Sequence, residues 1–333
     1  MFFRTFTLVV LLLLPMLTSS QDLHYSQFYH QALQLNPAQT GVFQGDFRAA
    51  ALYRNQWSSV PVSYRSYAVS ADRKMLDFGD NILSLGLLLQ HDKAGDAGLR
   101  WTQVGLSASV ARALSEQHSV SAGLGLAFVQ RGFDISALTF KNQWSAGDYM
   151  FDPNLPTKET FNQSSGMRST LSAGLNWHWA VPDKRTEANA GVGAFHLNRP
   201  NMGFDRNTAE PLPIRLAIFA NTAVALNEFF DLVVFAQMQR MGTAQEIVAG
   251  AGPRFWLVPE LAAVQLSIAT RVGDALIPAL QYQRGNWTFG LSYDWNTSSF
   301  EAATRGRGGL ELAAVYRSMP VPPAKALKSC PIF

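Results

Sequence analysis

Trp287-Thr288-Phe289-Gly290-Leu291-Ser292-Tyr293-Asp294-Trp295 carries a large apolar residue at every second position. In an extended chain Trp287, Phe289, Leu291, Tyr293 and Trp295 fall on one side. Thr288, Gly290, Ser292 and Asp294 fall on the other, because successive strand side chains point to opposite faces. Aromatic residues at both ends of the apolar face, with Leu291 between them, suit a strand crossing a bilayer between two aromatic belts. A soluble sandwich would alternate as well, so repetition along the chain has to decide.

The pattern recurs. Phe47, Ala49, Ala51 and Tyr53 alternate with Arg48, Ala50, Leu52 and Arg54, and Tyr67, Val69 and Ala71 with Ser66, Ala68 and Ser70. Leu83, Leu85, Leu87 and Leu89 stand opposite Ser84, Gly86 and Gln90, and residues 102–110 give a fourth strand. The cleanest case sets Val120, Ala122, Leu124, Leu126 and Phe128 against Ser119, Ser121, Gly123, Gly125 and Ala127. Further strands are expected over 171–179, 188–194, 214–224, 232–240, 246–256, 264–271, 275–284, 287–295 and 309–317, about fourteen in all. A closed antiparallel barrel leaves no strand edge unpaired in lipid. Tandem β-sandwiches would need a Pro-, Gly- or charge-rich linker near the middle, and the sequence has none.

Composition agrees. Of 333 residues 47% are hydrophobic and only 15% charged, and the net charge of +3 comes without any dense Lys/Arg run, so a nucleic-acid partner is not expected. After the first segment no run of about twenty apolar residues occurs, which excludes helical spans. Arg4, the apolar run Phe6 to Leu14, and small Thr18 and Ser20 read as an export signal over residues 1–20. The single cysteine, Cys330, excludes an internal disulfide. The expected organisation is signal 1–20, a polar, aromatic segment 21–46 folded inside or beneath the barrel as a plug, a barrel over 47–318 and a tail over 319–333.

Nothing catalytic stands out. The six histidines, at 24, 30, 91, 118, 178 and 196, are scattered and lack metal-ligand spacing, so no metal or cofactor is expected. Gly123-Leu-Gly125, Gly191-Val-Gly193 and Gly250-Ala-Gly252 lie in strand patterns without a following helix, and read as small lumen-facing positions rather than nucleotide loops. Arg48 and Arg54 share the face opposite Tyr53. In a barrel they look into the lumen, since an Arg at the lipid midplane costs about 2–4 kcal/mol. There they either hold the 21–46 segment or are solvated. Asp274 and Asp294 are candidates for the lumen side or a strand end, where pairing with Arg271 or Arg284 is left open by the sequence. The excursions 132–166 and 201–211 are too long for hairpin turns and are expected outside the cell, with short turns in the periplasm.

Several motifs together resemble the PorP/SprF family of the type IX secretion system of Bacteroidetes. They are Gln21-Asp22, Ser26-Gln27-Phe28, Leu35-Asn36-Pro37-Ala38 with Gly41, Tyr53-Arg54-Asn55-Gln56-Trp57, Leu138-Thr139-Phe140, Asn142-Gln143-Trp144, Phe151 to Pro156, His196-Leu197-Asn198-Arg199-Pro200, Arg271 with Asp274 to Pro278, Ser292 to Asn296, Glu311-Leu312 and Cys330 to Phe333. Leu23 departs from the pattern, where the family usually has Pro. The resemblance implies an outer-membrane barrel that helps export or anchor cognate surface proteins such as gliding adhesins, in contact with periplasmic ring and peptidoglycan-linked components. Candidate contacts between plug and lumen are Asn36, Pro37, Arg48, Arg54 and Gln56. Candidate partner-binding loop residues are Trp144, Asp152, Pro153, His196, Asn198, Arg199 and Pro200. Two other functions remain open on the sequence, a diffusion channel for small solutes and a barrel-embedded hydrolase.

Overall fold

A computed structural model describes residues 22–56, 64–95, 97–144, 150–152, 154–156, 164–182, 184–204, 209–298 and 306–318. The expected signal, Trp57, Pro153 and the tail with Cys330 lie outside the described residues. Fourteen strands run through them: β1 Phe47–Gln56, β2 Tyr64–Asp77, β3 Asn81–Ala94, β4 Leu99–Ala113, β5 His118–Gly132, β6 Ser165–Ala180, β7 Glu187–Phe195, β8 Arg215–Ala225, β9 Phe230–Met241, β10 Ala244–Val258, β11 Ala262–Arg271, β12 Ala275–Arg284, β13 Trp287–Asn296 and β14 Arg307–Arg317. Each pairs antiparallel with its neighbours in sequence. β1 closes on β14 in a register running from Arg48 opposite Arg317 to Gln56 opposite Gly309. The expected fold class, an all-β antiparallel barrel of about fourteen strands, is the one formed.

The alternation explains which way each strand faces. Along β13, Trp287, Phe289, Leu291, Tyr293 and Trp295 are exposed, while Gly290, Ser292, Asp294 and Asn296 are buried. On β5, Leu124 is 68% exposed, whereas Ser121, Gly123, Ala127 and Val129 face inward. This outward apolar band has lipid as its solvent, and the closed sheet leaves its backbone groups paired. Aromatic clusters mark both rims: Trp287 lies 5.1 Å from Tyr316 at one, and Tyr53 5.1 Å from Tyr67 at the other.

The two ends differ. At one, β2–β3, β4–β5, β8–β9, β10–β11 and β12–β13 are joined by four residues or fewer. Gly285 and Asn286 alone join β12 to β13, and Gly285 adopts φ +55°, which a side chain would oppose. Long connections, including 133–164 and 196–214, gather at the other end.

The N-terminal segment 22–46 lies within the barrel. Nearly every residue from Tyr25 to Gly41 is buried, and the stretch folds as a 3-10 turn Phe28–His30, a one-turn helix Ala32–Leu35 and a 3-10 turn Pro37–Gln39. It starts beside the long-loop end, where Asp22 meets Arg215, and leaves beside the short-turn end at Phe47.

Candidate functional site

The candidate site is the contact between this segment and the inner wall. Its apolar part is aromatic. Phe28 and Leu35 pack into a core with Phe195, Phe219, Phe235, Val248 and Ile277, and Phe28 sits edge-on to Phe235 at 5.9 Å. Tyr25 packs against Leu52, Ala68 and Ala313. Each such side chain removed from water contributes about 1.5–3 kcal/mol, so the segment is bound as a core element rather than as a loose insert.

Its tightest fit is at Asn36-Pro37-Ala38. Asn36 is extended, its Oδ1 accepts the Ala38 N–H at 2.9 Å, and Pro37 opens the following turn with its φ already set. The Asn36 Nδ2 donates to the Leu175 carbonyl at 2.9 Å. The wall there is made of glycines. A Cβ on Gly123 would lie 2.5 Å from Ala38 N and from Pro37 C and O, one on Gly174 would strike Asn36 Oδ1, and one on Gly193 would lie 2.7 Å from the Leu35 carbonyl oxygen. Serines complete the seat: Ser121 donates to Ala38 O at 2.7 Å, Ser109 to Thr40 O, and the Thr40 and Ser107 hydroxyls lie 2.8 Å apart. Gln56, half-buried on the inner face of β1, stands opposite Gly309 and Tyr64, away from this seat.

A charged cluster holds residues 22–27. Arg54 is 2% exposed, places Nη2 2.7 Å from Asp294 and Nη1 3.9 Å from Glu311, and donates to His24 O at 2.8 Å. Arg271 meets Asp294 at 2.8 Å, Glu246 at 3.1 Å and Asp274 at 3.1 Å. Of the two pairings raised for Asp274 and Asp294, Arg271 forms both, while Arg284 is exposed on β12. Glu311 accepts the backbone N–H of Ser26 at 2.8 Å and of Gln27 at 2.6 Å, and Ser26 Oγ donates to Asp294 at 2.6 Å. At the tip Asp22 lies 2.9 Å from Arg215. Burial opposes its ionisation, but Arg215 and His196 outweigh burial and hold the carboxyl well below the usual carboxylate range.

Toward the short-turn end, Arg48 grips Asp72 through two bonds of 2.9 and 2.8 Å and donates to Gln39 O at 3.1 Å, while Asp72 accepts the Gly41 N–H. Both arginines read from β1 therefore touch the segment, and neither is simply solvated. A space beside Leu33, Pro37, Leu88, Phe195 and Arg215 has a volume of about 30 Å³, and another beside Asp22, His24, Met241 and Glu246 about 20 Å³, each large enough to hold water.

The expected partner residues part ways. His196 turns inward. At φ +60° it is 2% exposed and bonds Thr170 at 2.9 Å and Asp22 at 3.3 Å, so it belongs to the lumen and not to an outward loop. Asn198 spends its side chain on β6, accepting from Leu171 N–H at 3.1 Å and donating to Ser169 O at 2.9 Å. Pro200 is buried and its carbonyl accepts the Leu212 N–H. Arg199 and Trp144 are exposed, and Asp152 is half-buried and caps Asn154 N–H at 2.9 Å. Met202 and Leu212 of the 196–214 connection pack with Val129 and Met241 over the lumen. Asp22, Ser26, Gln27, Asp72, Arg215, Glu246 and Glu311 were not singled out as contacts in the sequence. The available signal was parity, since Asp72, Glu246 and Glu311 are lone carboxylates on the inward face of their strands. Among the described residues no cluster of His, Cys, Asp or Glu is placed to hold a metal ion.

No curated protein matches the chain. A family model described as type IX secretion system membrane protein PorP/SprF matches residues 17–316. The chain belongs to the PorP/SprF family. As a membrane barrel of this secretion-system family, it is an outer-membrane protein. Among solved structures a Pseudomonas aeruginosa FadL homologue is similar over 86% of this chain and 94% of its own, with TM-score 0.50 and 10% identity, a likeness of fold alone. The Pseudomonas putida toluene transporter TodX aligns over 85% and 91% at TM-score 0.48 and 10% identity. BamA from Haemophilus ducreyi aligns over 82% and 71% at TM-score 0.40 and 10% identity.

Proposed function

We propose that this chain is a non-enzymatic outer-membrane barrel that assists export or surface anchoring of cognate type IX cargo, with its lumen plugged by its own residues 21–46. Residues 1–20 act as the export signal, 47–318 as the barrel and 319–333 as a tail. The short-turn end faces the periplasm and the ring and peptidoglycan-linked components of the machine. The long-loop end faces the cargo, with Trp144, Asp152, Asn198 and Arg199 as its contacts. Asn36, Pro37, Arg48 and Arg54 secure the plug, with Gln56 at its rim.

The observation that carries this reading, within the secretion family, is a lumen occupied by a packed segment, nearly every residue of which from Tyr25 to Gly41 is buried. A diffusion channel needs a continuous wet path, and the seat at Gly123 and Gly174 leaves no room for one beside Asn36. The test is to delete the gene and quantify, by surface proteolysis and mass spectrometry, every protein bearing a type IX signal domain. At least one should be retained or released; unchanged surface levels of all of them would sink the proposal.

A further inference from the structure

Toward the short-turn end the inner wall runs short of carboxylates. Over that half, from Asp231 on β9 round to Asp72 on β2, it carries Arg254, Gln265, Gln283, Thr288, Arg317 and Arg48, and no Asp or Glu. The two carboxylates that bound this arc are already engaged. Asp72 takes two bonds from Arg48 and one from the Gly41 N–H, and the fully buried Asp231 accepts from Arg185 at 3.1 Å and from Trp256 Nε1 at 2.6 Å. Arg254 gives its Nε to Gln265 at 3.1 Å and stands 3.7 Å from Asp231, outside hydrogen-bond range. Arg317 faces the lumen opposite Arg48 and is exposed there, and its side chain has no hydrogen bond or ion pair among the described residues. Of the carboxylates whose charge reaches it, Asp72 is spent on Arg48, and Glu187 stands on β7 without an ion pair among the described residues. The N-terminal segment adds one group to this mouth. His30 is 8% exposed and its Nε2 has no partner among the described residues, although buried polar atoms are normally paired. The cations whose charge acts on that ring are Arg317 and Arg254.

We propose that the short-turn mouth of the lumen, through Arg317 and Arg254 with His30 beside them, is a docking site for an acidic polypeptide segment of a periplasmic partner. Charge complementarity selects this class. A guanidinium fork takes one carboxylate through two parallel bonds, so two forks, on β10 and β14, call for a ligand with carboxylates on more than one residue. An acidic stretch of polypeptide offers them, whereas inorganic phosphate has a single centre. This deepens the export reading and rests on its placing of the short-turn end in the periplasm; it gives that contact its residues and its chemistry.

The test titrates the full-length protein, in nanodiscs of zwitterionic lipid, into fluorescein-labelled hexaglutamate at about 50 mM salt, where exposed charges are weakly screened. Binding is read by fluorescence anisotropy. Arg317→Gln should weaken it about tenfold. The near-isosteric Gln283→Glu, which sets a carboxylate on the same arc, should independently weaken it by a similar factor of about ten. Arg284→Gln removes one charge from the outer face of the same end and should leave affinity unchanged. Five results would each overturn the proposal: no binding by the unaltered protein, unchanged affinity in either Arg317→Gln or Gln283→Glu, an equal loss in Arg284→Gln, displacement of the peptide by equimolar inorganic phosphate, or equal affinity for a thymidine oligonucleotide of the same charge. The readout is on purified protein, so its failure would leave the cellular test of export standing on its own.

Discussion

Gly123→Ala is the smallest change that should unseat the segment. The added Cβ would stand 2.5 Å from three backbone atoms of Pro37 and Ala38, where ordinary contact needs about an ångström more, and no flexible side chain is there to give way. Overpacking of this kind costs about 1–3 kcal/mol. The forced shift also breaks the 2.7 Å bond from Ser121 to Ala38 O, worth about 1 kcal/mol. A cost of about 2–4 kcal/mol lowers the equilibrium constant for seating by about 30- to 1,000-fold. The assay is the maleimide labelling rate of a Thr40→Cys reporter in a Cys330→Ser background. The control is Gly105→Ala on the same wall, whose new Cβ would have Ala127 at 3.3 Å, Leu88 and Gln103 as its nearest neighbours, all of them strand residues. Similar labelling of the Gly123→Ala and Gly105→Ala proteins would refute the glycine-seat reasoning.

Three further outcomes follow from the same geometry. Arg54→Met leaves Asp294 and Glu311 buried beside one lost cation, and should cost about 3–5 kcal/mol, read as an earlier heat-induced mobility shift on a gel; an unmoved midpoint would contradict the clamp. Burial, with Arg317 and Arg254 adding to it, pulls His30 down from 6.5 to about 3. His30 therefore stays neutral in the folded barrel while the unfolded chain binds its proton, so stability is full above pH about 6.5 and erodes by up to about 1.4 kcal/mol per pH unit as pH falls toward 3. His30→Gln should remove that part of the slope, and an identical pH profile would count against it. Leu124→Arg puts a charge on the lipid face of β5 and should destabilise the barrel by about 2–4 kcal/mol, whereas insensitivity in a unilamellar-vesicle unfolding titration would place that face elsewhere.

Much of this architecture could be read directly from the residues. On β5 and β13 the apolar set occupies alternate positions without a break, so register and facing follow from period two alone. Residues 28–39 resisted reading for a physical reason: turns of three or four residues are too short to show a helical period, and they fold only against the wall. The roles of Gly123 and Gly193 were legible only as small inward positions, because what approaches them comes from far along the chain. Ser26 and Glu311, separated by 285 positions, meet only once the barrel has closed. His196 follows β7 in a stretch that reads as loop, yet its left-handed backbone returns the ring to the lumen.

The most direct measurement is the conductance of purified mature protein in planar lipid bilayers. A barrel filled by its own residues 22–46 should give no resolved steady current at neutral pH, and Gly123→Ala should introduce transient openings. A stable open conductance from the unaltered protein, insensitive to Gly123→Ala, would show a diffusion channel in place of a plugged export component.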